Sequence, residues 1–107
     1  MTILVDGLTD YGEIARAKGL RWTEWCHMVS DVGEDELHEF AARLGLKRAW
    51  FQGRHNGASA AHYDLIASKR SKAVALGAVE VSSRELVQRN YDGLTQRRNR
   101  GELPCPT

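Results

Sequence analysis

The stretch His62-Tyr63-Asp64 sets an imidazole, a phenol and a carboxylate side by side, and Ser68, Lys69 and Arg70 follow within a few residues. Imidazole titrates near neutrality and serves as acid, base or metal ligand, so a histidine close to a carboxylate is a unit that acid–base chemistry can use. Asp64 equally fits a plainer role, that of a carboxylate satisfying the free amides at a helix start. Two further histidines bear on the same chemistry. His27 lies in an apolar run between Cys26 and Met28, where a buried imidazole satisfied by the backbone competes with a functional one. His38 follows Leu37 on the flank of a helical stripe and either borders a cleft or simply meets solvent. His55 sits among glycines and carries little weight.

Two versions of one site follow. In the first, His27, His38, His62, Tyr63 and Asp64 line a single cleft, and His27 and His62 share acid and base duties in phosphoester cleavage. Ser68, Lys69 and Arg70 stand at its rim and hold the phosphate of a nucleotide or nucleic acid. Cations in the first turn of a helix oppose its dipole, which invites an anion there. A salt bridge from these residues to Asp64 or to the acidic stretch 34–39 is the structural competitor. In the second version His27, His38, His62 and Asp64 hold a divalent metal, since imidazoles and carboxylates are ordinary zinc and iron ligands. No HExxH, CxxC pair, Walker loop or GxGxxG is present, so the strong signatures of proteases, zinc fingers, triphosphatases and dinucleotide enzymes are missing. Cys26 beside His27 is not a cysteine-protease pair, because adjacent strand residues point to opposite faces.

These residues need elements to position them. "TILVD", residues 2–6, reads as a buried strand ending at Asp6-Gly7, and residues 8–23 read as mostly irregular, with room for one helical turn between Gly12 and Gly19. "WCHMVSD", residues 25–31, is apolar on both alternating faces and predicts a central strand. Asp31 and the acidic "GEDE" favour a helix start, and Leu37, Phe40, Ala41 and Leu44 form one helical stripe that Gly45 ends. A strand is expected over 49–52, a flexible loop over 53–61, and a helix over 68–76 ending at Gly77. A strand from Ala78 and a last helix behind Ser82 or Ser83 complete the pattern. "AARLGLKRAWF" and "AVALGAVEV" repeat the order helix, glycine, strand, which hints at a duplicated half. The expected fold is α/β: a single compact domain over 1–92, with a small mixed sheet of about four strands covered by about three helices in β-β-α-β-α-β-α order. Residues 93–107 lose all periodicity and are expected to form a mobile tail.

Length and composition agree with this. A chain of 107 residues fits one domain with a modest core. A net charge of +1, from 15 basic and 14 acidic residues, gives no global field that would pull the molecule onto nucleic acid or an anionic membrane. Any such attraction must be local, at Lys69, Arg70 and Lys72 or at Arg97, Arg98 and Arg100. Cys26 and Cys105 have such different surroundings that no disulfide is expected. The opening "MTILVDG" is unlike a signal peptide and no apolar run has membrane-spanning length, so a cytoplasmic protein without membrane contact is expected.

The segments "VDG", "WCHMVSD", "DELHEFAARLGL", "WFQ", "HYDL", "SKR", "AVALGAVEVS" and "REL" resemble the family of unknown function DUF4031 over roughly residues 3–87. The resemblance implies a short, stand-alone bacterial or tailed-phage protein, and it implies no activity. Its motif positions fall on Cys26, His27, Asp31, His38, Gln52, His62, Tyr63, Asp64, Lys69 and Arg70, which are mostly polar. The family commonly has a second acidic residue after the first aspartate, where this chain has Gly7, and the loop before His62 is longer here. The leading functional expectation is a phosphate- or nucleotide-directed protein, a histidine-based or metal-assisted phosphoester hydrolase. The alternative is a non-catalytic phage accessory module that binds a small nucleotide or a host protein, as a homo-oligomer.

Overall fold

The computed structural model describes residues 2–53 and 61–91. His55 with most of its loop, and the segment 93–107 expected to be a tail, lie outside the described residues. The sheet is built on β3 (Glu24–Ser30), the longest strand. Its second half pairs antiparallel with β1 (Ile3–Val5), Leu4 facing Val29, and its first half with β2 (Thr9–Asp10). On its other side it pairs antiparallel with β4 (Tyr63–Ile66), so that His27 faces Asp64 and Met28 faces Tyr63. β5 (Val79–Glu80) runs parallel to β1. The result is a mixed five-stranded sheet in an α/β domain.

Strand alternation divides the side chains between two faces. One face carries Ile3, Val5, Cys26, Met28, Tyr63 and Leu65, and these pack against Leu37, Phe40, Ala41 and Leu44 of α2 (Glu34–Arg43) and its end, and against Ala73 of α3 (Ala67–Ala75). Burying each large aliphatic or aromatic side chain here contributes about 1.5–3 kcal/mol, which makes this face the principal core. The opposite face packs Leu4 and Val29 against Leu86 of α4 (Ser83–Arg89), with Val81 alongside. Further along it carries His27 opposite Asp64 and Trp25 opposite Ile66, and the candidate site lies there.

The helices begin and end for local reasons. Ser30 Oγ accepts the backbone N–H groups of Val32 and Gly33, and Glu34, Asp35 and Glu36 then place negative charge in the first turn of α2. Asp31 does not cap the helix; it ties the Thr2 N–H and the Arg89 guanidinium to the end of β3. Gly45, at φ +80°, turns the chain away, and Lys69 Nζ donates to the Leu44 carbonyl at 2.8 Å, closing the C-terminal end of α2. Ser82 Oγ accepts the Glu85 N–H at 3.1 Å and starts α4.

The structure departs from the sequence reading in four places. Residues 49–52 form no strand: Arg48–Trp50 is a 3-10 turn, and only Gln52 bridges to His62. His62 to Asp64, which follow the expected loop over 53–61 and precede the expected helix over 68–76, lie in and beside a strand, β4, because Tyr63 and Leu65 bury themselves on alternate positions. The segment 8–23 is more ordered than expected, forming β2 and α1 (Gly12–Ala17). Among the described residues the order is therefore β-β-α-β-α-β-α-β-α, with five strands and four helices. The suggested duplication stops at the glycines: Gly77, at φ +112°, leads into a strand, whereas Gly45 leads into the 3-10 turn. Among the described residues no helix is long and apolar enough to cross a membrane.

Candidate functional site

His27 of β3 and Asp64 of β4 are register partners, and His62 stands two residues before Asp64, so all three project from the same sheet face. The rings of His27 and His62 meet edge to face with centroids 5.2 Å apart, and His62 Nε2 lies 3.3 Å from Asp64 Oδ1. One ligand atom from each of His27, His62 and Asp64 can be chosen so that all lie within 4.8 Å of one another. Gln52 Nε2 donates to the second oxygen of Asp64, fixing the carboxylate from the far side.

A fourth residue completes the arrangement. Asp6, just beyond β1, is 2% exposed, yet its carboxylate is fully engaged. Oδ1 accepts the His27 backbone N–H at 2.7 Å, while Oδ2 accepts from His27 Nδ1 at 2.9 Å and from Ser83 Oγ at 2.8 Å. Burial alone would raise the Asp6 carboxyl, but the hydrogen bonds from the His27 ring and backbone and from Ser83 outweigh it and hold it below its usual value. The same contact raises His27, against the opposing effect of burial and with help from the charges of Asp6 and Asp64. For Asp64, burial again works upward and is outweighed by the hydrogen bond and charge of His62, the charge of His27 and the Gln52 amide, so this group too stays ionised. Tyr11, immediately before α1, is raised by burial and then by the charges of Asp64 and Asp6, which keeps its phenol protonated.

His38 and Tyr63 do not join this cluster. Tyr63 points into the α2 side of the sheet, where its hydroxyl lies 2.7 Å from His38 Nδ1, and His38 Nε2 lies 2.9 Å from Glu34 Oε1. Phe51 packs against both rings. Both nitrogens of His38 are thus engaged, on the opposite face from His27, His62 and Asp64, in a network that runs from buried Tyr63 to exposed Glu34. The basic residues are engaged as well. Lys69 closes α2, and Arg70 donates through Nε to the Asp6 carbonyl at 2.8 Å while its other end pairs with Glu80 at 2.9 Å. Ser68 is exposed in the first turn of α3. Cys26 is no nucleophile: burial, then the Asp6 charge, push its thiol up to about 12.

The expected single cleft is therefore divided between the two sheet faces, with its basic rim committed elsewhere, and sequence reasoning passed over Asp6, Gln52 and Ser83 as site members. An acid at the end of a fully buried strand was the one available signal for Asp6; a hydroxyl 77 positions away offered none.

Two imidazoles and one carboxylate converging on a half-open face form a donor set suited to a divalent transition metal, with room left in the coordination sphere for water or a ligand oxygen. A tetrahedral ion with bonds of about 2.1 Å separates its ligand atoms by about 3.4 Å, so the widest pair, at up to 4.8 Å, must close by about 1.4 Å, a matter of side-chain rotation. The residues present fit such an ion.

No curated protein and no solved structure matches the chain. A family model does match, over residues 12–92, a span that contains His27, Gln52, His62, Asp64 and Ser83 and that begins after Asp6. The chain belongs to the family described as Protein of unknown function (DUF4031).

Proposed function

We propose that this protein is a metal-dependent hydrolase of phosphoesters, with the ion held by His27, His62 and Asp64. The observation that carries the reading is the convergence of those three ligand atoms within 4.8 Å on one sheet face. An ion held by these three residues would supply activated water for attack on phosphorus: a water O–H bond and the ester P–O bond would break as the new P–O bond forms, the water's proton going to solvent and the departing oxygen being protonated. The chain's own part is to hold the ligands. Gln52 orients Asp64, Asp6 orients His27, and the ionised state of both carboxylates is favoured before any ion arrives. Because Lys69 and Arg70 are committed to backbone carbonyls, the phosphate would be recognised through the ion rather than through a basic rim.

The Asp6–His27 pair also favours a second reading, in which His27 is a general base without metal and His62 is the acid. The two are separated by incubating the protein with a panel of phosphomonoesters, phosphodiesters and nucleotides, first stripped with a chelator and then with Zn2+ or Mn2+ restored. The metal reading predicts turnover that disappears on stripping, returns with the ion and is absent from His62→Ala. Turnover indifferent to chelation would replace it with the general-base reading. Retention of a nucleotide without conversion under every condition would replace both with a binding module.

A further inference from the structure

We infer that Asp6 and Ser83 are positioning residues that lock His27 as the Nδ1–H tautomer and so turn its Nε2 lone pair toward the metal. The inference rests on the metal reading above and extends it to residues outside the coordination sphere. Among the described residues, Asp6 is the most deeply buried carboxylate, at 2% exposure, while the His27 side chain it holds is 38% exposed. Burying a carboxylate is costly unless every lone pair is used, and here three donors converge on it. The backbone N–H of His27 fixes Oδ1, so Oδ2 has one orientation left, facing His27 Nδ1 and the Ser83 hydroxyl. A carboxylate accepts and does not donate, so the neutral imidazole must carry its proton on Nδ1. Nε2 is then the basic nitrogen. Carboxylate-to-histidine contacts of this kind fix the ring and raise its basicity at metal sites. β1 and α4 thereby act on a β3 ligand without touching the ion.

His38 shows the contrast. Glu34 binds its Nε2 and Tyr63 its Nδ1, so neither nitrogen is presented to anything else. The difference between the two histidines lies in their partners rather than in their elements.

The test is Asp6→Asn, which preserves shape. Oδ1 of the new amide still accepts the His27 backbone N–H, and its NH2 group then faces Nδ1, which must become an acceptor. His27 is forced to the Nε2–H tautomer, whose Nε2 has no lone pair for a metal. Imidazole 15N spectra of the metal-free protein at alkaline pH should show His27 protonated on Nδ1 in the wild type and on Nε2 in Asp6→Asn. Titration with Zn2+ should show affinity lowered about 10- to 100-fold in Asp6→Asn, the range for lost outer-shell partners, and less in Ser83→Ala, which removes one of two bonds to Oδ2. A wild-type protein with His27 on the Nε2–H tautomer overturns the inference, as does a folded Asp6→Asn variant that binds Zn2+ like the wild type. Should Asp6→Asn fail to fold, the wild-type spectrum and Ser83→Ala still decide. A wild type with the Nδ1–H tautomer that binds no Zn2+ leaves the positioning of His27 standing and removes the metal reading instead.

Discussion

Tyr63→Phe separates the two sheet faces most sharply, because Tyr63 lies between His62 and Asp64 in sequence but opposite to them in space. The ring is 1% exposed and remains in place in the variant, so no cavity opens. What is lost is the hydroxyl 2.7 Å from His38 Nδ1. Since Glu34 accepts from Nε2–H, neutral His38 uses Nδ1 as the acceptor of the Tyr63 O–H. Its side chain is only 8% exposed, so water replaces that partner poorly. Leaving a buried acceptor unsatisfied costs about 1–3 kcal/mol. For a domain near 100 residues each kcal/mol lowers Tm by about 4–8 °C, so the expected drop is roughly 4–24 °C. Thermal unfolding and Zn2+ titration of the same preparation provide the assay: the melting temperature falls and the Zn2+ affinity stays within about twofold of wild type. An unchanged melting temperature together with a lost metal site would refute the division of the sheet into a structural and a chemical face.

Further outcomes follow from the same contacts. Lys69→Met removes the donor to the Leu44 carbonyl and should cost about 0.3–1 kcal/mol in chemical denaturation while leaving Zn2+ binding and turnover intact; a specific loss of substrate affinity would restore Lys69 to the site. Stability of the metal-free protein should pass through a maximum in pH. Asp6 is lowered, so its contribution is present above the unfolded value of 3.8 and is lost as pH falls through the folded value; His27 is raised, so its contribution is complete below 6.5 and is lost as pH rises through its folded value. Urea denaturation across pH 2–9 should therefore show both limbs in the wild type and a flatter profile in Asp6→Asn, and identical profiles would contradict the pairing. Native Cys26 should resist alkylation at neutral pH and react once the chain is unfolded, because its thiol is buried and raised to about 12; rapid labelling of the folded protein would count against that environment.

Local periodicity made α2 and β3 readable. Leu37, Phe40 and Ala41 recur at helical spacing and are buried as that spacing requires, and the doubly apolar run around Met28 became the central strand. β4 also left a period-two trace, Tyr63 and Leu65 against His62 and Asp64, but a four-residue strand holding an aspartate and preceded by a histidine looks like a loop before a helix. Once that segment is recognised as a strand, His62 and Asp64 must share one face and Tyr63 the other, so the single five-residue cleft becomes two sites. The rest depended on contacts with no local signature. Lys69 and Arg70 found backbone carbonyls at Leu44 and Asp6, acceptors that no side-chain type announces. Asp6 reaches His27 across 21 positions and Ser83 across 77, distances at which only the sheet topology connects them.

A coordination site shared by β3 and β4 is tested most directly by a crystal structure of the protein soaked with Zn2+, with the ion located by its anomalous signal. The prediction is one ion bound by Nε2 of His27, by His62 and by Asp64, with Asp6 still on His27 Nδ1 and His38 still on Tyr63. An ion bound elsewhere, or none at these three side chains under saturating Zn2+, would contradict it.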